Sequence, residues 1–294
     1  MARSKRKSII GISPQDITDP NNSSATSMIG VQNIQEHYKQ AQAGRFDEVQ
    51  EKYGSTFVKD GLQVWYDANI ASSWVQNDLN VYDVSGNSRN GIWNAGMGTD
   101  THTGAGSVVH NIWKISNNTR YLTGPAANAV GLDGHSFTLG MTLYVDAAAQ
   151  SVAFLFNRDA SYTDSSDRAI SLHMVWTDGR IYFDTHGDGS GYNRHTGDVN
   201  DHTYDSWQTI FFTADSNGVD SMTKSIYIDG SLASSSTSSS RVALTLGSLA
   251  TEWFYGKTAY SGTNHPNWYS CVGLWNRALT SSEISTMHGL IDIS

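Results

Sequence analysis

Across its 294 residues the chain has one cysteine, four prolines and, beyond residue 60, only the glutamates Glu252 and Glu283. The lone Cys271 excludes a disulfide within the chain and a cysteine-based zinc site. The fold must therefore be held by its core, by a metal or by partner chains. Long apolar runs are absent too: nothing approaches the roughly 20 residues that a membrane helix needs. Residues 1–30 start basic but lack the apolar run of a secretory signal, so the expectation is a chain made and folded in a cytoplasm. Charge is sparse, at 16%, and the net of −9 is uneven. Residues 61–294 carry eleven Lys/Arg against twenty-one Asp/Glu. A domain this acidic is a poor match for nucleic acid, whose affinity comes mainly from cations set against phosphate. The basic run Arg3–Lys7 reads as a solvated, mobile start.

What is present points to β structure. Hydrophobic residues make up 38% and aromatic residues 11%, enough for a packed core. Gly, Ser, Thr, Asn and Asp are abundant, as short strands and turns require. Residues 1–26 read as an extended polar arm. Residues 27–57 read as a short amphipathic helical segment, since Ile34, Tyr38, Phe46 and Val49 fall at spacings near three and four. That stripe must pack on the β domain or on another subunit, and these four are the candidate assembly contacts. From residue 58 to 294 apolar residues alternate in about a dozen candidate strands, from 62–67 to 267–276. Ser225–Ser231 is typical: Ile226 and Ile228 face one side, Tyr227 the other, and Asp229-Gly230 supplies a hairpin turn. The Ser234–Ser240 tract reads as a loop or polar edge strand, and Thr280–Glu283 as a capping box before a closing helix.

Four segments carry a resemblance: Leu62-Gln-Val-Trp-Tyr-Asp67, the turn Tyr82–Gly91, Ser136–Leu143 and Asn276–Ile284. They are similar to the opening strand, an Asp-x-Ser-Gly-Asn turn, a central strand and the closing strand and helix of laminin-G-like, concanavalin A-like lectin/glucanase domains. The resemblance covers about residues 58–292. It implies a mainly β jelly-roll sandwich preceded by an extended arm and short helices. The layout, a β domain without disulfides behind an arm, further resembles bacteriophage virion proteins. On that resemblance the chain would be a capsid decoration or tail appendage in a virion. Residues 1–57 would bind other virion proteins, copies would form a homo-oligomer, and the outer face would meet surface glycans.

The chemistry follows from residue types. Glycoside hydrolysis needs two carboxylates flanking the bond, about 5–5.5 Å apart for retention. Related glucanases set them as Glu-x-Asp-x-x-Glu on one strand. Here the two glutamates lie far apart in sequence, so a polysaccharide-degrading enzyme is the weakest of three readings. The second is a calcium-assisted carbohydrate-binding module of an adhesin. Asp184–Asp205 packs five Asp, three His and two Asn into one polar stretch, and hard oxygen donors on such a loop suit calcium. Asp184, Asp188, Asp198 and Asp201 are the candidate ligands; the alternative is a long loop whose Asp and Asn cap its own turns. Asp83, Asn87 and Asn90 read as holding their own tight turn. Trp65, Trp113, Trp176, Trp207 and Trp275 lie on expected strands and read as core. Trp74, Trp93, Tyr192, Asn264 and Trp268 lie near turns and are the candidate sugar contacts.

Overall fold

Alternation from Leu62 onward builds two antiparallel eight-stranded sheets in the computed structural model. It describes residues 46–74, 79–94, 98–115, 121–130, 132, 136–145, 151–157, 168–176, 178–186, 192–238, 252–255 and 267–294. Sheet A holds β1 (Leu62–Asp67), β4 (Gly98–Thr103), β5 (Val109–Ile115), β7 (Phe137–Val145), β12 (Ser206–Ser216), β13 (Met222–Ile228), β14 (Ser231–Ser238) and β16 (Asn267–Trp275). Sheet B holds β2 (Asn80–Val81), β3 (Gly91–Trp93), β6 (Leu122–Ala126), β8 (Ser151–Asn157), β9 (Arg168–Met174), β10 (Tyr182–His186), β11 (Tyr192–Thr196) and β15 (Glu252–Tyr255). Sheet A runs β14-β13-β12-β7-β16-β5-β4, with β1 also paired to β16. First and last strands thus meet side by side, with Trp65 opposite Gly273. A Cβ at Gly273 would lie 2.4 Å from the Trp65 ring, so the indole needs glycine there.

The main core lies between the sheets. Leu139, Met141 and Leu143 of β7 alternate inward with Ile210 and Phe212 of β12, and they meet Ile170, Leu172 and Phe183 of sheet B. The other face of sheet A carries a second core under two helices: α1 (residues 46–53) and α2 (Ser281–Ile291). Phe46, Val49, Tyr53 and Phe57 cover Trp65 and Trp275 from one side, while Ile284, Met287 and Ile291 cover them from the other. This corrects one expectation. Phe46 and Val49 bury their apolar area against their own β sandwich, so they are not available as contacts to another chain. Ile34 and Tyr38, with the remainder of 1–45, lie outside the described residues.

Local chemistry accounts for the boundaries. The Thr280 hydroxyl accepts from the Glu283 amide and the Glu283 carboxylate accepts from the Thr280 amide, closing the capping box. Arg277 clamps the same carboxylate and, as its main cause, holds the Glu283 pKa down at about 2. Asp229 and Gly230 both take positive φ in the β13–β14 hairpin, as a type I′ turn demands. Cys271 is buried in the second core, which pushes its thiol up to about 12 and makes it inert.

Candidate functional site

β1 ends at Asp67, a carboxylate that is 0% exposed. Oδ1 accepts from the Asn69 amide at 2.7 Å, the turn that aspartate commonly makes with the residue two ahead. The Tyr53 hydroxyl donates to Oδ2, and Lys52 Nζ lies 3.3 Å from both oxygens. Burial and the neighbouring Asp67 raise the Tyr53 pKa well above the ordinary phenol value, so the hydroxyl stays protonated as a donor. Ser73 closes the loop: its hydroxyl accepts from the Asp67 amide at 3.0 Å and donates to the Tyr82 carbonyl at 2.8 Å.

The loop carries Asn69 to β5. Asn69 Oδ1 accepts from the Asn111 amide at 2.7 Å, and its Nδ2 donates to the Asn111 carbonyl and to Ser270 Oγ. The side chain mimics one more strand pairing at the rim of sheet A. Between this loop and β4–β5 opens a cleft of about 430 Å³, lined by Ala68, Asn69, Ala71, Trp74, Asp100, Thr101 and Asn111. That size is in the range of small-ligand sites, about 300–1,000 Å³. Asn69 spends its amide on the wall. The Asn111 side-chain amide and Thr101 hydroxyl are exposed and make no hydrogen bond among the described residues. The exposed Asp100 carboxylate accepts from the Thr101 amide and lies 3.8 Å from Lys114. Trp74 and two alanines give an apolar wall; the amide, hydroxyl and carboxylate give directional partners.

The candidate sugar contacts separate. Trp74 is 8% exposed and forms a cleft wall rather than an open platform. Trp93 is 1% exposed, which corrects the expectation of a surface ring: in the Gly91-Ile92-Trp93 strand alternation turns Ile92 outward and Trp93 in against Trp113. Trp268 is half-buried, edge-on to Tyr144 at 4.8 Å beside Trp207. Tyr192 opens β11, at the edge of sheet B that adjoins β14, far from the cleft. Asn264 lies outside the described residues. Trp65, Trp113, Trp207 and Trp275 are buried as expected, whereas Trp176 is half-buried beside His173.

The Asp184–Asp205 stretch is not one loop: Tyr182–His186 and Tyr192–Thr196 pair as antiparallel strands. Both Asp184 oxygens are taken at 2.7 Å by the cross-strand Arg194 guanidinium. Asp201 Oδ2 accepts from the Asp198 amide at 2.5 Å, capping its own turn. Asp188 lies outside the described residues. These donors do not fit a calcium ion, and the described residues hold no group of three or more His, Cys, Asp or Glu side chains placed for a metal. The Asp83 turn is as expected: its carboxylate accepts from the Trp65, Ser85 and Arg89 amides, and Asn90 Oδ1 accepts from the Asp83 amide.

Sequence reading missed one cluster. On the outer side of sheet B, Ser171 Oγ lies 2.7 Å from His173 Nε2, and Asp184 Oδ2 lies 3.7 Å from that same nitrogen. A serine–histidine–aspartate relay needs the carboxylate on the opposite ring nitrogen. With Asp184 held by Arg194, the cluster is an ion-pair network and not a nucleophile. The cleft residues Thr101 and Asn111 were missed as well. Of the lining, sequence reading had singled out Trp74.

An open-rimmed two-sheet jelly roll with a small polar cleft at one end defines a lectin-like β-sandwich domain. The chain belongs to the concanavalin A-like lectin/glucanases superfamily, whose profile matches residues 116–285. No curated protein sequence is significantly similar to it. Solved structures share the fold. The receptor-binding domain of a botulinum neurotoxin C/D mosaic serotype has 11% identity and a TM-score of 0.55, covering 79% of this chain and 52% of that one. The binding domain of Paraclostridial Mosquitocidal Protein 1 has 15% identity and a TM-score of 0.54, covering 78% and 52%. Botulinum neurotoxin type C, which interacts with two ganglioside molecules, has 12% identity and a TM-score of 0.56, covering 80% and 52%. The chain therefore spans about half the length of these structures.

Proposed function

We propose that this chain is a non-enzymatic glycan-binding domain and that the cleft beside Trp74 is its sugar site. The observation that carries the reading is the lining itself: an indole wall with an unbonded amide, an unbonded hydroxyl and a carboxylate, all at the mouth of a rigid sandwich. Sugars offer an apolar ring face together with hydroxyls that both donate and accept, and this set answers each. Asp100 is the only charged group among the described residues of the lining, and residues 61–294 are strongly acidic. Both disfavour sialylated or sulfated sugars, so the expected ligand is an uncharged glycan. Fold likeness to toxin receptor-binding domains supports a binding role, while the superfamily itself includes both lectins and glucanases.

The setting that we propose for the domain is a virion surface, with the N-terminal segment as attachment and several copies lending avidity to weak sites. Support for it is the layout of the sequence, an arm leading into a helix docked on the sandwich. The test is a panel of neutral and sialylated glycans against the wild type, Asn111→Ala and Thr101→Ala. Each side chain is exposed, so folding is expected to be intact. Losing one hydrogen bond should weaken binding about 3–10-fold. No binding across the panel, or equal binding by the wild type and both variants, overturns this assignment of the site.

A further inference from the structure

We propose that Tyr53, acting through Asp67, positions the cleft, so that helix α1 and the ligand site are one coupled unit. This rests on the glycan-site reading above for its function, but not for its geometry.

A continuous set of hydrogen bonds leads from the helix to the cleft wall. The Tyr53 hydroxyl donates to Asp67 Oδ2; Asp67 Oδ1 accepts from the Asn69 amide; Asn69 Oδ1 accepts from the Asn111 amide. The last residue presents its own side chain to the cleft. Each link lies at a place where the alternative is costly. Asp67 is fully buried, so its oxygens depend on Tyr53, Lys52 and the loop amide for hydrogen bonds. Both polar atoms of the Asn69 side chain are engaged, so a shift of the loop at Asp67 strains bonds at β5 and at Ser270. Tyr53 and Lys52 precede the sandwich in sequence, yet they hold the one carboxylate that turns β1 into the cleft loop. Tyr53 does not line the cleft; its role is positioning.

The test is Tyr53→Phe in the full chain. The ring contacts survive this change, stacked on Phe57 at 5.6 Å and edge-on to Trp65 at 6.1 Å, while the donor is lost. Site-resolved amide hydrogen exchange reads the coupling without any ligand. The Asn69 and Asn111 amides should exchange roughly tenfold faster or more, since a bond to a charged acceptor has been removed. The Ile210 and Ile226 amides, at the far end of sheet A, should be unchanged. Acceleration across the whole sheet would mean a general loss of stability and would overturn the proposal, as would no change at Asn69 and Asn111. A second arm measures the Kd of an uncharged glycan that the wild type binds. A weakening of about fivefold is expected for sites coupled in this way, and an unchanged Kd beside faster exchange would sink the functional half. If the wild type binds no glycan, the site reading fails while the exchange arm still decides the coupling.

Discussion

Phe57 tests whether the segment before β1 is an appendage or part of the sandwich. Its ring is buried, stacked on Tyr53, edge-on to Trp65 at 4.9 Å and 6.3 Å from Phe46. Phe57→Ala removes the ring at the meeting point of α1 and β1, where α1 and Trp65 are pinned on both sides and can collapse little. Buried phenylalanine truncations cost about 3–5 kcal/mol, against a total stability of roughly 5–15 kcal/mol for a domain. For a domain of this size each kcal/mol moves the midpoint by about 2–4 °C, so Tm should fall by roughly 6–20 °C. Thermal melting and urea unfolding, both followed by tryptophan fluorescence, measure it. A chain beginning at Gly61 should fare worse, because it exposes Trp65 and Trp275 together and strips the Trp275 indole of its Val58 carbonyl. A loss within about 0.5 kcal/mol, the scale of surface changes, would refute the reasoning and make α1 a peripheral attachment.

Two further expectations concern pH. Glu283 has its pKa held at about 2 by Arg277 and the helix cap, below the ordinary carboxylate value, so its contribution to stability is complete above about pH 4.5 and is lost as pH falls towards 2. Glu283→Gln should flatten that acid limb in urea titrations, modestly because the pair is part-exposed; an unchanged limb would show that the clamp contributes nothing. Lys224 is the reverse case. Its ammonium sits 3.5 Å from the Phe183 carbonyl inside the sandwich, and burial, opposed by Asp184, pushes its pKa down to about 7. The unfolded chain then holds the extra proton between about pH 7 and 10.5, so stability rises with pH across that window. Lys224→Met should be more stable than the wild type at pH 6, on the order of a few kcal/mol, with the gap closing towards pH 10. Equal melting at both pH values would refute the placement of that charge.

Much of the fold was legible because alternation is a local signal. β1 has the expected bounds, 62–67, and β16 ends one residue short of the expected 267–276. The strands that escaped are those whose residues do not alternate in hydropathy. β4, Gly-Thr-Asp-Thr-His-Thr, has no apolar residue, and β11 hides its pairing behind the polar contacts of Arg194 and His195. The described part of the Ser234–Ser240 tract, residues 234–238, lies in the edge strand β14, one of the two readings its composition left open. Sequence could not tell whether the apolar stripe of α1 met this chain or another, because periodicity reports a buried face and not what covers it. The cleft was less legible still. Asn69 and Asn111 are 42 residues apart and become neighbours only because β1 and β5 pair end to end along the same edge of β16, opposite β7.

The fate of the carboxylates argues most directly for binding over hydrolysis. Asp67, Asp83 and Asp184 are buried and hold, respectively, a loop amide and a phenol, one strand and two turn amides, and an arginine fork. Glu283 holds a helix cap. Each is spent on backbone or ion-pair geometry, and moving a proton from any of them would first break structure. Among the described residues Asp100 is the one carboxylate that lines the cleft, and glycoside hydrolysis requires a second carboxylate across the bond from the first. Among the described lining residues that carboxylate stands beside an amide, a hydroxyl and an indole. On the binding reading proposed above, Asp100 would accept hydrogen bonds from sugar hydroxyls, as a carboxylate that, among the described residues, carries no hydrogen bond beyond its own turn is free to do.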